Sequence, residues 1–315
     1  MAETTLPEPK EDYQKKLKAF IADIPPVDEI VSGTPALRSP FKQADIDALK
    51  GIKTDPLFRK YTGWEHKSLL QKWLVDKTTT CNEFCQKCAI AMGYTAKDGV
   101  GRFDIADWLN RMGLGHVWIP ASSNSMPEYG DIFRLFGPNP DNNGVPLNHM
   151  AVSLHVVGDD WYTVESGQGG PSRGFDAIKR RKRSWKPDAL RGWVSMKALL
   201  NAGQPLPYWL GGWWQVEEGP YESYHYYFAS GGKVTCLTSA PASITAPPAN
   251  SGPLVGNFAM KGMFGVQLSW TSADVDETLT VVVQEQKKRR YVMEGRTARG
   301  VKLTATRLLP ADAFG

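Results

Sequence analysis

Residues 149–165 constrain the fold of this chain more than any other stretch. The run His-Met-Ala-Val-Ser-Leu-His-Val-Val has a period of two, so His149, Ala151, Ser153, His155 and Val157 fall together on one side of a strand. Gly158-Asp159-Asp160 is a turn signature, and Trp161-Tyr162-Thr163-Val164-Glu165 reads as a second strand. Together they predict a β-hairpin, and with it an antiparallel sheet. Strands expected at 131–136 and 175–185 extend that sheet, the Lys and Arg of the latter facing solvent.

Helical spacing dominates before the hairpin. Thr80 and Glu83 stand at capping-box spacing, so a helix is expected to begin at Cys81, run to Met92 and stop at Gly93. One face of it carries Cys81, Cys85, Cys88, Ala89 and Met92. A second helix is expected over 103–112, with Ile105, Trp108 and Leu109 on one side, and short helices over 43–73. Helix, strand and hairpin in this order predict an α+β domain over residues 41–208, its cysteine-bearing helix packed on an antiparallel sheet. Residues 1–40, rich in Pro and charge with one helix at 12–24, read as a lead-in arm. From 209 to 315 short β-like runs at 213–216, 224–229, 233–237, 265–270, 278–284, 291–294 and 301–307 predict a separate small all-β barrel or sandwich, interrupted by a Pro/Ala/Ser-rich loop at 239–253.

At 315 residues, with 42% hydrophobic and 22% charged side chains, the chain is long enough for two modest cores. A formal net charge of +4 permits an anionic partner without requiring one, and nucleic acid is not implied. No apolar run reaches the length of a membrane span. The first twenty residues have acids and prolines where a Sec leader needs a basic start and an apolar run, so synthesis in the cytoplasm and export by a specialised route are expected. Three of the four cysteines crowd into one segment, unlike a dispersed disulfide framework, and are read as reduced thiols.

A thiol in the first turn of a helix meets unsatisfied N–H groups and amide dipoles that favour the thiolate, which makes Cys81 the candidate nucleophile. The competing reading is a small buried hydrophobe, the common fate of free cysteine. Zinc is disfavoured, because no downstream Cys/His pair accompanies Cys81, Cys85 and Cys88, and Cys236 lies in another domain; no metal and no cofactor are expected. His149 opens its strand, where a base for the thiol is wanted, and His155 on the same predicted face is its competitor. His66, His116 and His225 lack comparable settings.

The ordered set Thr80-Cys81-Asn82-Glu83-Phe84, Pro127-Glu128-Tyr129-Gly130-Asp131-Ile132, His149-Met150-Ala151-Val152 and Val164-Glu165 resembles the NlpC/P60 and CHAP group of papain-like peptidases and amidases. The similarity covers about residues 75–185. It implies a papain-like fold and hydrolysis of an amide bond in the peptide stem of peptidoglycan through a thioester. In that scheme Cys81 attacks, His149 moves the proton, and a third group orients the imidazole. Glu165 fits the third position best by resemblance. Yet a hairpin with a three-residue turn sets Glu165 opposite Ser153, roughly 13 Å along the strand from His149 at about 3.3 Å per residue, so a bulge or another partner strand is required. Gln168 in the Gly-rich stretch after Glu165 is the alternative orienter or oxyanion donor.

Two features stand outside that set. Lys179-Arg180-Arg181-Lys182-Arg183 with Trp185 reads either as a solvated sheet edge or as a seat for anionic wall polymer, lipid headgroups or nucleic acid, the solvated edge being the commoner case. The aromatics Trp209, Trp213, Trp214, Tyr221, Tyr224, Tyr226 and Tyr227 read as barrel core before sugar platform. The leading expectation is a peptidoglycan amidase or endopeptidase, delivered as an antibacterial effector by a machine such as type VI secretion or released by lysis, and active in the periplasm or cell wall of a target bacterium. Its partners would be the peptide stem and an immunity protein or secretion carrier. The competing expectations are a protease, deamidase or acyltransferase acting on a protein, and a binding module whose Cys81 is merely core.

Overall fold

In a computed structural model of the chain, the described residues are 7–27, 30–32, 55–63, 80–94, 109–110, 112–137, 147–167, 177–202, 206–207, 209–220, 222–249, 254–271, 276–285 and 290–308. They divide into two compact units, Met1–Asp104 with Ile119–Leu200, and Ile105–Trp118 with Asn201–Gly315. Residues 105–118, expected within the first domain, therefore belong to the second unit.

The first unit is built on a seven-stranded sheet. Its strands are β1 (Ile30–Ser32), β2 (Trp118–Pro120), β3 (Ile132–Gly137), β4 (Leu147–Val157), β5 (Asp160–Glu165), β6 (Ala177–Ser184) and β7 (Leu190–Val194), in the order β1-β6-β5-β4-β3-β7-β2. The β4–β5 hairpin turns on two residues, since Val157 pairs with Asp160. Gly158 at the first central position has φ +59°, which a type II′ turn requires and glycine adopts without strain. A β-bulge then falls between Ser153 and His155, so that Ser153 pairs with Thr163 while His155 pairs with Tyr162.

That bulge reassigns faces. Without the extra residue, a two-residue turn would set Glu165 opposite Val152, on the side away from His149. With it, Val152 pairs with Val164, and continuing the register one step sets Glu165 opposite Ala151. His149 is then the diagonal neighbour of Glu165 on the same face, within reach of a long side chain. His155 moves to the other face, where its ring tilts against Tyr129 at 5.1 Å.

Cross-strand pairing places Phe133 opposite Ala151 and Leu135 opposite His149. Phe133, Leu135, Ala151, Trp161, Leu190 and Trp193 form a buried cluster on that face. The other face is covered from the amino terminus. Tyr13 and Leu17 of the helix Asp12–Phe20, with Ile21 and Ile24 after it, are buried. Arg180 donates from Nε to the Ile24 carbonyl (3.2 Å) and from Nη2 to the Ile21 carbonyl (3.1 Å). β1 adds to the edge of β6, so the described residues of the expected arm are built into this unit. The helices Pro56–Thr62 and Cys81–Ala91 pack together, and the latter lies against β4 and the helix Asp12–Phe20. Gly130 has φ +98°, and a Cβ there would meet Met92 Sδ at 2.8 Å, so the chain entering β3 passes under the end of the cysteine-bearing helix only as glycine.

The second unit is a closed eight-stranded barrel: β8 (Gly212–Glu218), β9 (Glu222–Ala229), β10 (Lys233–Leu237), β11 (Leu254–Met260), β12 (Gly265–Trp270), β13 (Asp276–Glu285), β14 (Arg290–Thr297) and β15 (Lys302–Arg307). β8 closes it by pairing with both β9 and β15. Trp214, Tyr226, Phe228 and Trp270 fill the interior with Val216, Val266, Leu268, Leu279, Met293 and Leu303. Residues 112–113 are tied to this unit, the Gly113 carbonyl accepting from Ser230 N at 2.8 Å and the Met112 carbonyl from Leu206 N at 3.0 Å. Asn110 Nδ2 and Trp213 Nε1 donate to the Ile244 and Ala246 carbonyls (3.0 and 2.7 Å), which ties down the Pro/Ala/Ser-rich segment.

The chain is thus mostly β, at 45% strand with four α-helices among the described residues. This corrects the expectation of an α+β, papain-like domain with a nucleophile helix as its core. A seven-stranded sheet and a closed barrel carry the architecture instead, with short helices covering the sheet. The physical reason is that β1, β2 and β7 are only three to five residues long, too short for alternation to signal a wide sheet. The helices expected over 43–73 and 103–112 lie mostly outside the described residues; the seven residues Pro56–Thr62 are the described helix of the former.

Candidate active site

Cys81 is the first residue of the helix Cys81–Ala91, with Thr80 at the N-cap. The expected capping box does not form: the Thr80 side chain makes no cap hydrogen bond. Its hydroxyl instead lies 2.7 Å from Ser166 Oγ, both residues being wholly buried. The residue before Cys81 is thereby joined to the residue after Glu165.

His149, 4% exposed, has Nε2 at 3.1 Å from Glu165 Oε2 and a hydrogen bond to the Cys81 side chain. With Nε2 donating to the carboxylate, Nδ1 is the nitrogen left for the thiol. Glu165 is fully buried, and its carboxylate is further held by Thr163 Oγ1 on Oε1. Arg183 forks onto it, Nε to Oε1 and Nη2 to Oε2, both at 2.6 Å. The structure therefore brings Cys81, His149 and Glu165 into one connected chain. Gln168 lies outside the described residues.

Burial alone would raise the Glu165 carboxyl, but the Arg183 charge and its paired hydrogen bonds, with His149 added, hold it well below the usual carboxylate range. Burial likewise pulls the His149 imidazole down. Its hydrogen bonds to Cys81 and Glu165, and the negative charges there, outweigh that and leave it raised. The pair favours an imidazolium next to an ionised carboxylate. Cys81 is half-buried, whereas Cys85, Cys88 and Cys236 are buried. Burial pushes the Cys88 thiol far up and the Cys236 thiol up to about 12, so neither is suited to nucleophilic work at neutral pH. Among the described residues no group of His, Cys, Asp and Glu could hold a metal ion, and no helix is long and apolar enough to cross a membrane.

Sequence reasoning missed Arg183 as part of this arrangement. The basic run 179–183 is a strand, so its side chains alternate: Arg180 binds backbone carbonyls on one face, Lys182 pairs with Asp160 at 2.7 Å, and Arg183 joins Glu165 on the other. The signal available was the period of two within the run. Asp131 of the Pro-x-x-Gly-Asp segment is a structural clamp, accepting from Glu128 N and Met196 N at 2.8 Å each, and burial raises its carboxyl to about 7. A separate cavity of about 570 Å³ lies near the far end of β4, where Tyr129, Leu154, His155 and Arg180 line it beside Pro7 and Ile24. It does not include Cys81, His149 or Glu165.

No family model matches the chain, nor does any curated protein. Among solved structures, "The crystal structure of Ly7917" is similar at 12% identity over 94% of this chain and 92% of that one, with a TM-score of 0.25. A likeness of that size carries no argument about fold or function.

Proposed function

We propose that this protein is a cysteine-dependent hydrolase of amide bonds, acting on the peptide stem of peptidoglycan. The observation that carries the reading is a first-turn thiol hydrogen-bonded to a buried imidazole, which an ionised carboxylate orients from behind. The choice of substrate rests on the ordered motif that resembles the NlpC/P60 and CHAP group.

In this reading the Cys81 thiolate attacks the carbonyl carbon of the amide, forming a C–S bond, while the Cys81 amide in the helix's first turn faces the developing oxyanion. The His149 imidazolium hands its proton to the departing nitrogen as the C–N bond breaks, leaving a thioester and a free amine. Neutral His149 then takes a proton from water, the hydroxide displaces sulfur as the C–S bond breaks, and the product leaves as a carboxylic acid that loses its proton to solvent, with the thiolate and imidazolium restored. Glu165 keeps Nε2 protonated throughout, so that Nδ1 serves the reacting atoms.

Purified sacculi incubated with the wild-type protein and with Cys81→Ala test the reading. Soluble muropeptides with new amino or carboxyl ends are expected from the wild type alone. A folded wild type that releases nothing from sacculi while cleaving a protein substrate would overturn the wall assignment. Activity retained by Cys81→Ala would overturn the site.

A further inference from the structure

We propose that Arg183 is a positioning residue of this site, locking the Glu165 carboxylate onto His149 and taking up part of its charge. The inference rests on the reading of Cys81 and His149 given above. Strand geometry makes the contact. Arg183 is opposite Trp161 on β5, which puts it on the face that carries Thr163 and Glu165, four residues along from the register of Glu165 with Lys179. Its side chain runs back along that face and is only 14% exposed, with Glu165 wholly buried.

The fork fixes the carboxylate plane. Oε1 accepts from Arg183 Nε and Thr163 Oγ1, and Oε2 accepts from Arg183 Nη2 and His149 Nε2. Every donor lies on β4, β5 or β6, so the carboxylate cannot swing away from the ring without breaking a bidentate, charge-assisted pair. The His149 ring is held in turn with Nδ1 toward the thiol. The charge balance matters equally. A buried carboxylate facing only an imidazole would either take a proton, ending its role as acceptor, or hold the imidazolium so firmly that His149 could not later act as base. Arg183 supplies a permanent cation, so Glu165 stays ionised without His149 carrying the whole neutralising charge.

The charged groups around this pair come from two elements, and a third packed against it brings an apolar side chain. On β6, Lys179 and Arg181 stand opposite Glu165 and Thr163, on the same face as Arg183. On the helix Cys81–Ala91, Glu83 lies in the first turn with Cys81. β3 presents Leu135 at the register of His149. Removing the Arg183 charge therefore disfavours thiolate formation and favours retention of the imidazolium, and both effects move the working range toward higher pH.

The test reads the rate of Cys81 alkylation by iodoacetamide from pH 4 to 10, located by peptide mass mapping, in the wild type, Arg183→Met and Arg183→Lys. The wild type is expected to react well below the range of an ordinary thiol. Arg183→Met is expected to move the low-pH limb alkaline by about one unit, and Arg183→Lys, which keeps the charge but loses the fork, by less in the same direction. A stability role alone would reduce the folded fraction and leave the limb in place. An unmoved limb in folded Arg183→Met overturns the proposal. If that variant does not fold, an unmoved limb in folded Arg183→Lys overturns it, and loss of the fold in both makes the fork a stability element only. A wild type with no reactive limb below pH 8 would instead refute the Cys81 reading itself and the proposal with it.

Discussion

His149 Nε2 lies 3.1 Å from Glu165 Oε2, across a hairpin that separates the two residues by sixteen positions. The bond depends on a two-residue turn and a bulge acting together. Glu165→Gln keeps the shape but removes the charge, leaving Arg183 buried without its anion. A loss of about 10²-fold or more in kcat is expected, and a destabilisation of about 3–5 kcal/mol, the latter measured by denaturant unfolding.

The same pair sets a pH window. Glu165 is held below its ordinary value near 4.5, so its contribution is present above that pH and lost as pH falls through the lower folded value. His149 is raised above 6.5, so its contribution is complete below 6.5 and lost as pH rises through the folded value. The stability gap between wild type and Glu165→Gln should be widest at roughly pH 4.5–6.5 and narrow on both sides. A gap that grows steadily up to pH 9 would contradict this.

Thr80 and Ser166 hold the cysteine and the carboxylate segments together through one buried hydroxyl pair. Thr80→Val or Ser166→Ala removes this buried hydrogen bond, and each is expected to cost about 1–3 kcal/mol. In a double-mutant cycle the combined change should cost clearly less than the sum, because the two single changes remove the same contact. Strict additivity would mean the contact is not made.

Arg180 pins the amino-terminal segment by its two bonds to the Ile21 and Ile24 carbonyls. Arg180→Ala is expected to raise hydrogen exchange and tryptic cleavage over residues 12–24 while leaving the barrel's exchange unchanged. Unaltered protection of that segment would show that apolar burial alone holds it.

In the barrel, Glu277 accepts from Trp270 Nε1 (3.0 Å) and from the Tyr226 hydroxyl (3.0 and 3.1 Å). Burial raises its carboxyl, the two donors lower it, and the net shift is upward. A raised carboxyl stabilises the fold at low pH and loses that contribution as pH rises through its folded value. Glu277→Gln, which mimics the protonated form, should therefore raise the melting temperature at pH 8 relative to wild type and change it little at pH 4. Equal effects at both would rule out the charge as the cause.

The cysteine at a helix start, the histidine at a strand start and the hairpin between them were legible because each is a local pattern of a few residues. Glu165 was legible as a candidate but not as a neighbour of His149. Strand alternation without the bulge predicts the wrong register, and a one-residue slip exchanges faces. For the same reason His155 read as a rival on the face of His149, whereas it lies on the other. Arg183 was hidden within a charge run whose five members read alike until the sheet separated them by face.

The amino-acid sequence by itself determined where turns, helix starts and alternating runs lie, since those follow from backbone preferences and the periodicity of apolar residues over short windows. The tertiary structure alone decided how wide the sheet is, that the second unit closes into a barrel, and which distant charges share a buried face. Those outcomes depend on pairing between segments far apart in the chain, where edge strands as short as Ile30–Ser32 gain their place only from a partner already formed. A carboxylate, an imidazole and a guanidinium from three strands become one unit only when burial removes the water that would otherwise screen them.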